Sequence, residues 1–320
     1  MNNLIIITGP TAVGKTEISI ELAKAINGEI ISADSIQVYK YMDIGSAKIK
    51  KEEMQGIKHY LIDEFEPDDE FNVNVFQKLT KKYINEIYEK GKTPIIVGGT
   101  GFYIQSVLYD IDFDETEDNH EYRKTLEQIY KDKGAQYLFN MLKDKVGDEI
   151  VETLKAIHYN NVKRVIRALE YNHQTGKKIS DHNKEQREHA SPYNFKYFVL
   201  NDKRELLYSR INKRVDFMIK EGLVDEVKSL LDKGYDRNLV SMQGIGYKEI
   251  IEYLDGKISL EEAVKLIKKN TRHFAKRQLT WFRREKTVTM VNWDEYDYDK
   301  NKLLACMLKD LREINIIKDK

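Results

Sequence analysis

The chain has 320 residues, 41% hydrophobic and 33% charged, with 53 basic against 53 acidic side chains and no net charge. That length suits one large domain or two smaller ones with a real core. No apolar run approaches the roughly 20 residues of a membrane span, and because the first residues read as a strand, no export signal is expected. The one cysteine, Cys306, excludes an intramolecular disulfide and a cysteine-built zinc site, so a reducing cytoplasm is expected.

Leu4–Ile7 is a short continuous apolar run and reads as the first strand. It meets Gly9-Pro10-Thr11-Ala12-Val13-Gly14-Lys15-Thr16, after which Ile18, Leu22 and Ile26 recur with helical spacing. Strand, glycine loop and helix in that order fit G-x-x-x-x-G-K-[ST], a phosphate-binding loop. Gly9 and Gly14 permit backbone angles that turn consecutive N–H groups onto an anion. The helix adds its unpaired N-terminal donors and positive dipole end. Lys15 supplies a mobile cation, and the Thr16 hydroxyl is placed for Mg²⁺. A chance glycine turn with a surface lysine is the competing account, and the strand–helix context argues against it. The loop specifies a diphosphate or polyphosphate, not which one.

Glu29–Ser32 reads as the second strand and runs into Ala33-Asp34-Ser35-Ile36-Gln37. Ligands of parallel sheets sit at such strand ends, which brings Asp34, Ser35 and Gln37 toward the phosphate site. An aspartate N-cap is the alternative. Residues 42–48 are loop-like, and His59–Asp63 reads as a third strand that could pass for a Walker B strand. A helix follows over 74–90 and stops at Gly91. Thr93–Val97 is the next strand, feeding Gly98-Gly99-Thr100-Gly101 and an apolar helix through Leu108. Thr100 is therefore a second polar group at this sheet edge, or a helix cap.

From 112 to 195 charged helical stretches replace strands, over 119–133, 134–145, 148–156 and 160–173, after an acid-rich start at 112–121. Strands resume at Lys196–Leu200. The expected fold is α/β: a parallel sheet built around the phosphate loop and flanked by helices, with an inserted all-helical subdomain. The expected division is a core of 1–111 with 196–320, and an insertion of 112–195. On the insertion's last helix Lys163, Arg164 and Arg167 place positive charge opposite an apolar stripe.

A helix over 203–221 carries a core stripe at Leu207, Ile211 and Val215, and Gly222 ends it. Arg210 and Arg214, four apart, share a face that could reach the anion site. Gly244-Ile245-Gly246-Tyr247-Lys248 is a glycine pair at a helix start. Ser259 and Glu262 form a capping box for a helix to 285. One face of it is basic, from Lys265 to Lys286, and Arg277-Gln278-Leu279-Thr280-Trp281-Phe282-Arg283 mixes cations, an amide and aromatics as single-strand nucleic-acid binders do. A solvated basic face over a packed aromatic core is the alternative. A strand at 288–291 and a helix over 300–314 close the chain.

These blocks together resemble the bacterial tRNA dimethylallyltransferases. The matching stretches are Gly9–Thr16, Ile31–Tyr39, Met42–Gly45, Val97–Gly101, Arg164–Glu170, Arg214–Asp216, Gly244–Lys248 and Lys276–Gln278 with Trp281, in the family's order along nearly the whole chain. The resemblance implies transfer of a dimethylallyl group from dimethylallyl diphosphate to N6 of the adenosine next to the anticodon of a tRNA. Gly9–Thr16 with Arg210 or Arg214 would hold the diphosphate, and Mg²⁺ would sit near Thr16. Asp34 would be the base and Thr100 would meet the bridging oxygen. Asp34, Ser35, Ile36, Gln37 and Thr100 would also touch the tRNA. Arg123, Lys163, Arg164, Gly244, Gly246, Tyr247, Lys248, Lys276, Arg277, Gln278, Trp281 and Arg283 would make further tRNA contacts. The implied partners are the tRNA anticodon stem-loop and dimethylallyl diphosphate, with no membrane and a monomeric protein. Two residues depart from the family pattern: Val13 replaces a small polar residue, and Tyr159 follows His158 where proline is usual. The rival readings are a kinase moving a phosphoryl group from ATP to a small molecule, and a non-enzymatic RNA binder.

Overall fold

A computed structural model describes residues 2–113, 120–146, 157–176, 189–285 and 287–318. Contacts divide the chain into two compact units, residues 1–108 with 192–320, and residues 109–191. The first unit begins with β1 (Asn2–Thr8), α1 (Lys15–Ile26), β2 (Gly28–Ala33), β3 (His59–Tyr60), α2 (Val73–Glu89), β4 (Thr93–Gly98) and α3 (Gly101–Leu108). The second unit holds α4 (His120–Val146) and α5 (Val162–Thr175). The first unit resumes with β5 (Tyr193–Asn201), α6 (Arg204–Lys220), α7 (Leu223–Asp232), α8 (Tyr247–Leu254), α9 (Leu260–Phe282), β6 (Val288–Asn292) and α10 (Lys300–Glu313).

The six strands form one sheet in the order β3-β2-β4-β1-β5-β6, and every pairing is parallel. A strand covered on both faces needs an unbroken apolar run rather than alternation. Leu4, Ile5, Ile6 and Ile7 of the central β1 are each fully buried. Each such side chain contributes roughly 1.5–3 kcal/mol by leaving water. Parallel pairing brings the carboxyl ends of β1, β2 and β4 to one edge, with Thr8 beside Gly98 and Ala33 beside Gly98. The loops after those three strands therefore meet.

The second unit has its own core of Leu126, Leu138, Leu142, Ile157, Val165, Ile166, Ala168 and Leu169. Gly134 (φ 83°, ψ 173°) interrupts α4, at the boundary where the sequence separates two helices. The expected helix over 148–156, the acids Asp114, Glu115, Glu117 and Asp118, and Lys286 lie outside the described residues. Among the described residues, no helix is long and apolar enough to cross a membrane.

Three local expectations need correction. The third strand keeps only His59 and Tyr60, because Leu61 and Asp63 adopt left-handed φ of 59° and 55°. Asp63 pairs with the buried Lys48 ammonium, so it does not end a Walker B strand. Gly222 ends one helix but also opens another, α7, which the sequence reading passes over. The basic helix α9 stops at Phe282, three residues early, while its capping box forms as expected: the Ser259 hydroxyl accepts from Glu262 N–H and the Glu262 carboxylate accepts from Ser259 N–H.

Candidate active site

The loop between β1 and α1 is held from three sides. Gly9 has φ 145°, and a Cβ there would lie 2.4 Å from the Leu200 carbonyl oxygen of β5, so no larger residue fits. Ala12 (φ 65°) and Gly14 (φ 96°) are left-handed, the backbone pattern that turns N–H groups into an anion nest. The Trp293 indole N–H donates to the Val13 carbonyl at 2.7 Å from beneath. From α9 the Gln278 side chain accepts from Thr11 N–H at 2.9 Å and donates to the Gly99 carbonyl at 3.0 Å. One amide thus braces the loops after β1 and β4.

Beside this loop lies a cavity of about 320 Å³. Thr11–Glu17 form its floor. Ser32, Asp34 and Gln37 come from β2 and the turn beyond it, Ser46 and Ala47 from the next loop, and Val97, Gly98 and Gly99 from β4. Arg214 of α6 with Phe274 and Gln278 of α9 complete the wall. Lys15 folds back on its own loop, donating to the Gly9 and Pro10 carbonyls at 3.0 and 2.9 Å. Burial lowers its pKa to about 7, Arg214 pushes in the same direction, and Asp34 opposes both. Arg214 keeps solvent access, yet the protein packed round its guanidinium lowers its pKa too. Two cations held this close favour binding of an anion beside them. Asp34 sits across from them in a tight turn: its Oδ1 accepts from Ile36 N–H at 2.9 Å and Gln37 N–H at 3.2 Å. Its Oδ2 accepts no bond among the described residues. Glu17 at the floor is paired with Lys300, so the cavity offers two cations, Lys15 and Arg214, and the free oxygen of Asp34.

A family model described as IPPT, IPP transferase, matches residues 37–285. The chain belongs to the IPP transferase family. A tRNA dimethylallyltransferase of Lachnoclostridium phytofermentans is 59% identical over 320 residues, covering 99% of this chain and 100% of its own length. The crystal structure of a full-length tRNA isopentenylpyrophosphate transferase from Bacillus halodurans superposes with a TM-score of 0.73 at 44% identity, over 98% of each chain. A eukaryotic dimethylallyltransferase described as acting on tRNA gives a TM-score of 0.80 at 28% identity, over 100% of this chain and 81% of its own.

In this IPP transferase the candidate residues do not all converge. Thr11–Thr16, Asp34, Gln37, Arg214 and Gln278 line the cavity. Gly9 and Pro10 lie behind the lip, receiving Lys15. Thr100 stands one residue past the cavity wall; its N–H donates to the Ala33 carbonyl, and its carbonyl accepts from Tyr103 N–H as α3 begins. Ser35 and Ile36 form the turn that Asp34 caps and do not line the cavity. Arg210 pairs with the buried Asp202 carboxylate at 2.6 Å, so of the two arginines only Arg214 reaches the cavity. Tyr247 is fully buried, its hydroxyl donating to Glu226 at 2.7 Å, while Gly246 takes φ 102° before α8 and Gly244 packs near Ile36. Lys248 stays partly exposed beside Glu249. Lys276 and Arg277 are exposed on α9 and Arg283 is exposed just past its end, whereas Gln278 is buried and Trp281 packs its indole against Gly101, where a Cβ would lie 2.2 Å away. In the second unit Lys163 and Arg164 are exposed on α5, and Arg123 pairs with Glu170 at 3.6 Å.

Sequence reasoning missed Trp293, Ser46, Ala47 and Glu226. The spacing of Leu223, Val227 and Leu230 was the available signal for α7, which carries Glu226. Nothing local marks Trp293 as a support of the phosphate loop, 280 residues away.

Proposed function

We propose that this protein transfers the dimethylallyl group of dimethylallyl diphosphate to N6 of the adenosine next to the anticodon of a tRNA, releasing diphosphate. The observation that carries this reading is the shared cavity of Asp34, Lys15 and Arg214. A leaving diphosphate needs cations and backbone donors where its charge develops. The amine needs a base within reach because its lone pair is delocalised into the ring. As the allylic C–O bond breaks, its electron pair leaves with the diphosphate. The N6–C bond forms from the nitrogen lone pair, and the N6 proton passes to the Asp34 carboxylate. The target base enters the cavity by leaving its stack, as other base-modifying enzymes require.

Lys15, Arg214 and the Thr11–Thr16 backbone hold the diphosphate in this reading, and Gln37 offers an amide to the adenine. Mg²⁺ suits the donor set. It takes one or two protein oxygens and leaves its other positions to phosphate and water, and Thr16 supplies such an oxygen to the cavity. When bound there it would neutralise part of the diphosphate charge. The exposed cations Lys276 and Arg277 on α9, Arg283 just past its end, and Lys163 and Arg164 on α5 are the expected grip on the tRNA backbone.

The kinase alternative loses its metal aspartate, because Asp63 is tied to Lys48 and does not line the cavity. The deciding experiment mixes the protein with unmodified tRNA, Mg²⁺ and labelled dimethylallyl diphosphate, then repeats with ATP. Label on the tRNA is the expected result. ADP release with unlabelled tRNA would overturn the proposal.

A further inference from the structure

The loop between β2 and β3 is fastened by a side chain that neither the phosphate loop nor the basic helix supplies. Glu226, on the first turn of α7, accepts four hydrogen bonds. Its Oε2 takes Asp43 N–H at 2.9 Å and Ile44 N–H at 2.7 Å. Its Oε1 takes Gly45 N–H at 3.0 Å and the Tyr247 hydroxyl at 2.7 Å. Three successive backbone N–H groups around one anion form a nest, and here the anion is a carboxylate of the same chain. Gly45 is obligatory, since a Cβ would lie 2.6 Å from the Tyr247 ring. Hydrogen bonds to a charged acceptor contribute more than neutral ones.

The fastened turn leads directly to the cavity. Ser46 and Ala47 follow it and line the wall, and their carbonyls accept from the Gln37 amide at 3.2 and 3.3 Å. The Gln37 N–H in turn donates to Asp34 Oδ1 at 3.2 Å. The Lys48 ammonium strengthens the same turn from within, donating to the Tyr39 carbonyl at 2.7 Å and the Asp43 carboxylate at 2.6 Å. Contacts thus run without a gap from Glu226 through the 43–47 backbone and Gln37 to Asp34. The diphosphate end of the cavity has separate supports, Trp293 and Gln278.

We propose that Glu226 is a positioning residue: it holds the 43–47 turn so that Gln37 and Asp34 keep their places, without touching substrate itself. This inference rests on the transfer reaction proposed above. Glu226→Gln keeps the shape but turns an NH₂ toward a backbone N–H. The expected result is a kcat about 10- to 100-fold lower, the scale of a small misplacement of reacting groups. The dissociation constant for inorganic diphosphate should move by less than about twofold, since that end is supported independently. Tyr247→Phe removes one bond of four and should give a smaller fall in kcat.

Amide hydrogen exchange keeps the inference testable whatever the reaction proves to be. In Glu226→Gln, peptides covering 37–48 should exchange faster while those covering 9–16 stay unchanged. A lower melting temperature with unchanged kcat in the folded fraction would overturn the positioning role, as would unchanged exchange over 37–48. A wild-type protein that labels no tRNA would instead refute the reaction, with exchange still judging the anchor.

Discussion

The Asp34 carboxylate and the Lys15 ammonium line one cavity and attract each other, yet the attraction loses. Burial and the nearby Arg214 guanidinium outweigh it and bring Lys15 from the ordinary 10.5 to about 7. A buried lysine beside a second cation regains its charge when an anion binds next to it. The same arrangement keeps Asp34 close to the charge without letting it form a closed ion pair.

Diphosphate binding should therefore take up a proton near neutral pH. In the free protein Lys15 is largely neutral above about 7. The bound anion favours the charged form, so the complex holds a proton that the free protein lacks. The Lys15 contribution to affinity should be constant below about pH 7 and fall as pH rises above it. Calorimetry at pH 8 in buffers of different ionisation enthalpy should register uptake of up to about one proton. No buffer dependence would show that Lys15 keeps its charge in the free protein.

Lys15→Met should abolish transfer and raise stability by about 1 kcal/mol, the usual gain when a functional strain is removed. The sign follows from the lowered pKa. Between about 7 and 10.5 the unfolded chain carries a proton on this lysine that the folded chain lacks, so Lys15 makes stability rise with pH across that window. Its unfavourable contribution is complete below about 7. Denaturant titrations of wild type and variant should converge as pH climbs through the window.

Asp34→Asn should retain the fold, since the amide oxygen can still accept from Ile36 and Gln37. Turnover should drop about 10²- to 10⁴-fold, the range for a lost general base. Diphosphate affinity should stay near normal. Single-turnover transfer assays beside diphosphate calorimetry separate these effects, and parallel loss of both would make Asp34 a structural residue.

Gln278→Leu should leave Thr11 N–H and the Gly99 carbonyl without their side-chain partner. An unsatisfied buried group costs about 1–3 kcal/mol, and the phosphate loop should loosen. Expected are a lower denaturation midpoint and weaker diphosphate binding. Binding unchanged at reduced stability would confine Gln278 to packing.

Replacing Lys276 and Arg277 with alanine should weaken tRNA binding and flatten its dependence on salt, by about 0.7–0.9 in log–log slope for each phosphate no longer neutralised. Fluorescence titrations at several salt concentrations measure this, and an unaltered slope would place the tRNA elsewhere.

Much of this was legible beforehand because the signals are local. The β1 run is apolar throughout, as a central parallel strand must be, and the phosphate loop lies between strand and helix in eight consecutive residues. The break in α4 was legible at one glycine. What escaped were short or unpatterned features. Two residues of β3 cannot show a period, and α7 is only ten residues long, directly behind a glycine that reads as an ending. The pairing of Asp63 escapes the sequence because its partner, Lys48, lies fifteen positions back in a loop.

The sequence by itself determined most of the elements, the anion-binding loop and the set of polar residues brought to one sheet edge. It did so because backbone conformation and hydrophobic period are properties of neighbours. Tertiary structure decided which members of that set meet. Arg210 and Arg214 share a helix face, yet a buried Asp202 takes the first and the cavity receives the second. Gln278 belongs to a basic helix, yet its amide turns inward to a loop 267 residues away. Such pairings depend on how helices settle against the sheet, and only the packed chain contains that information.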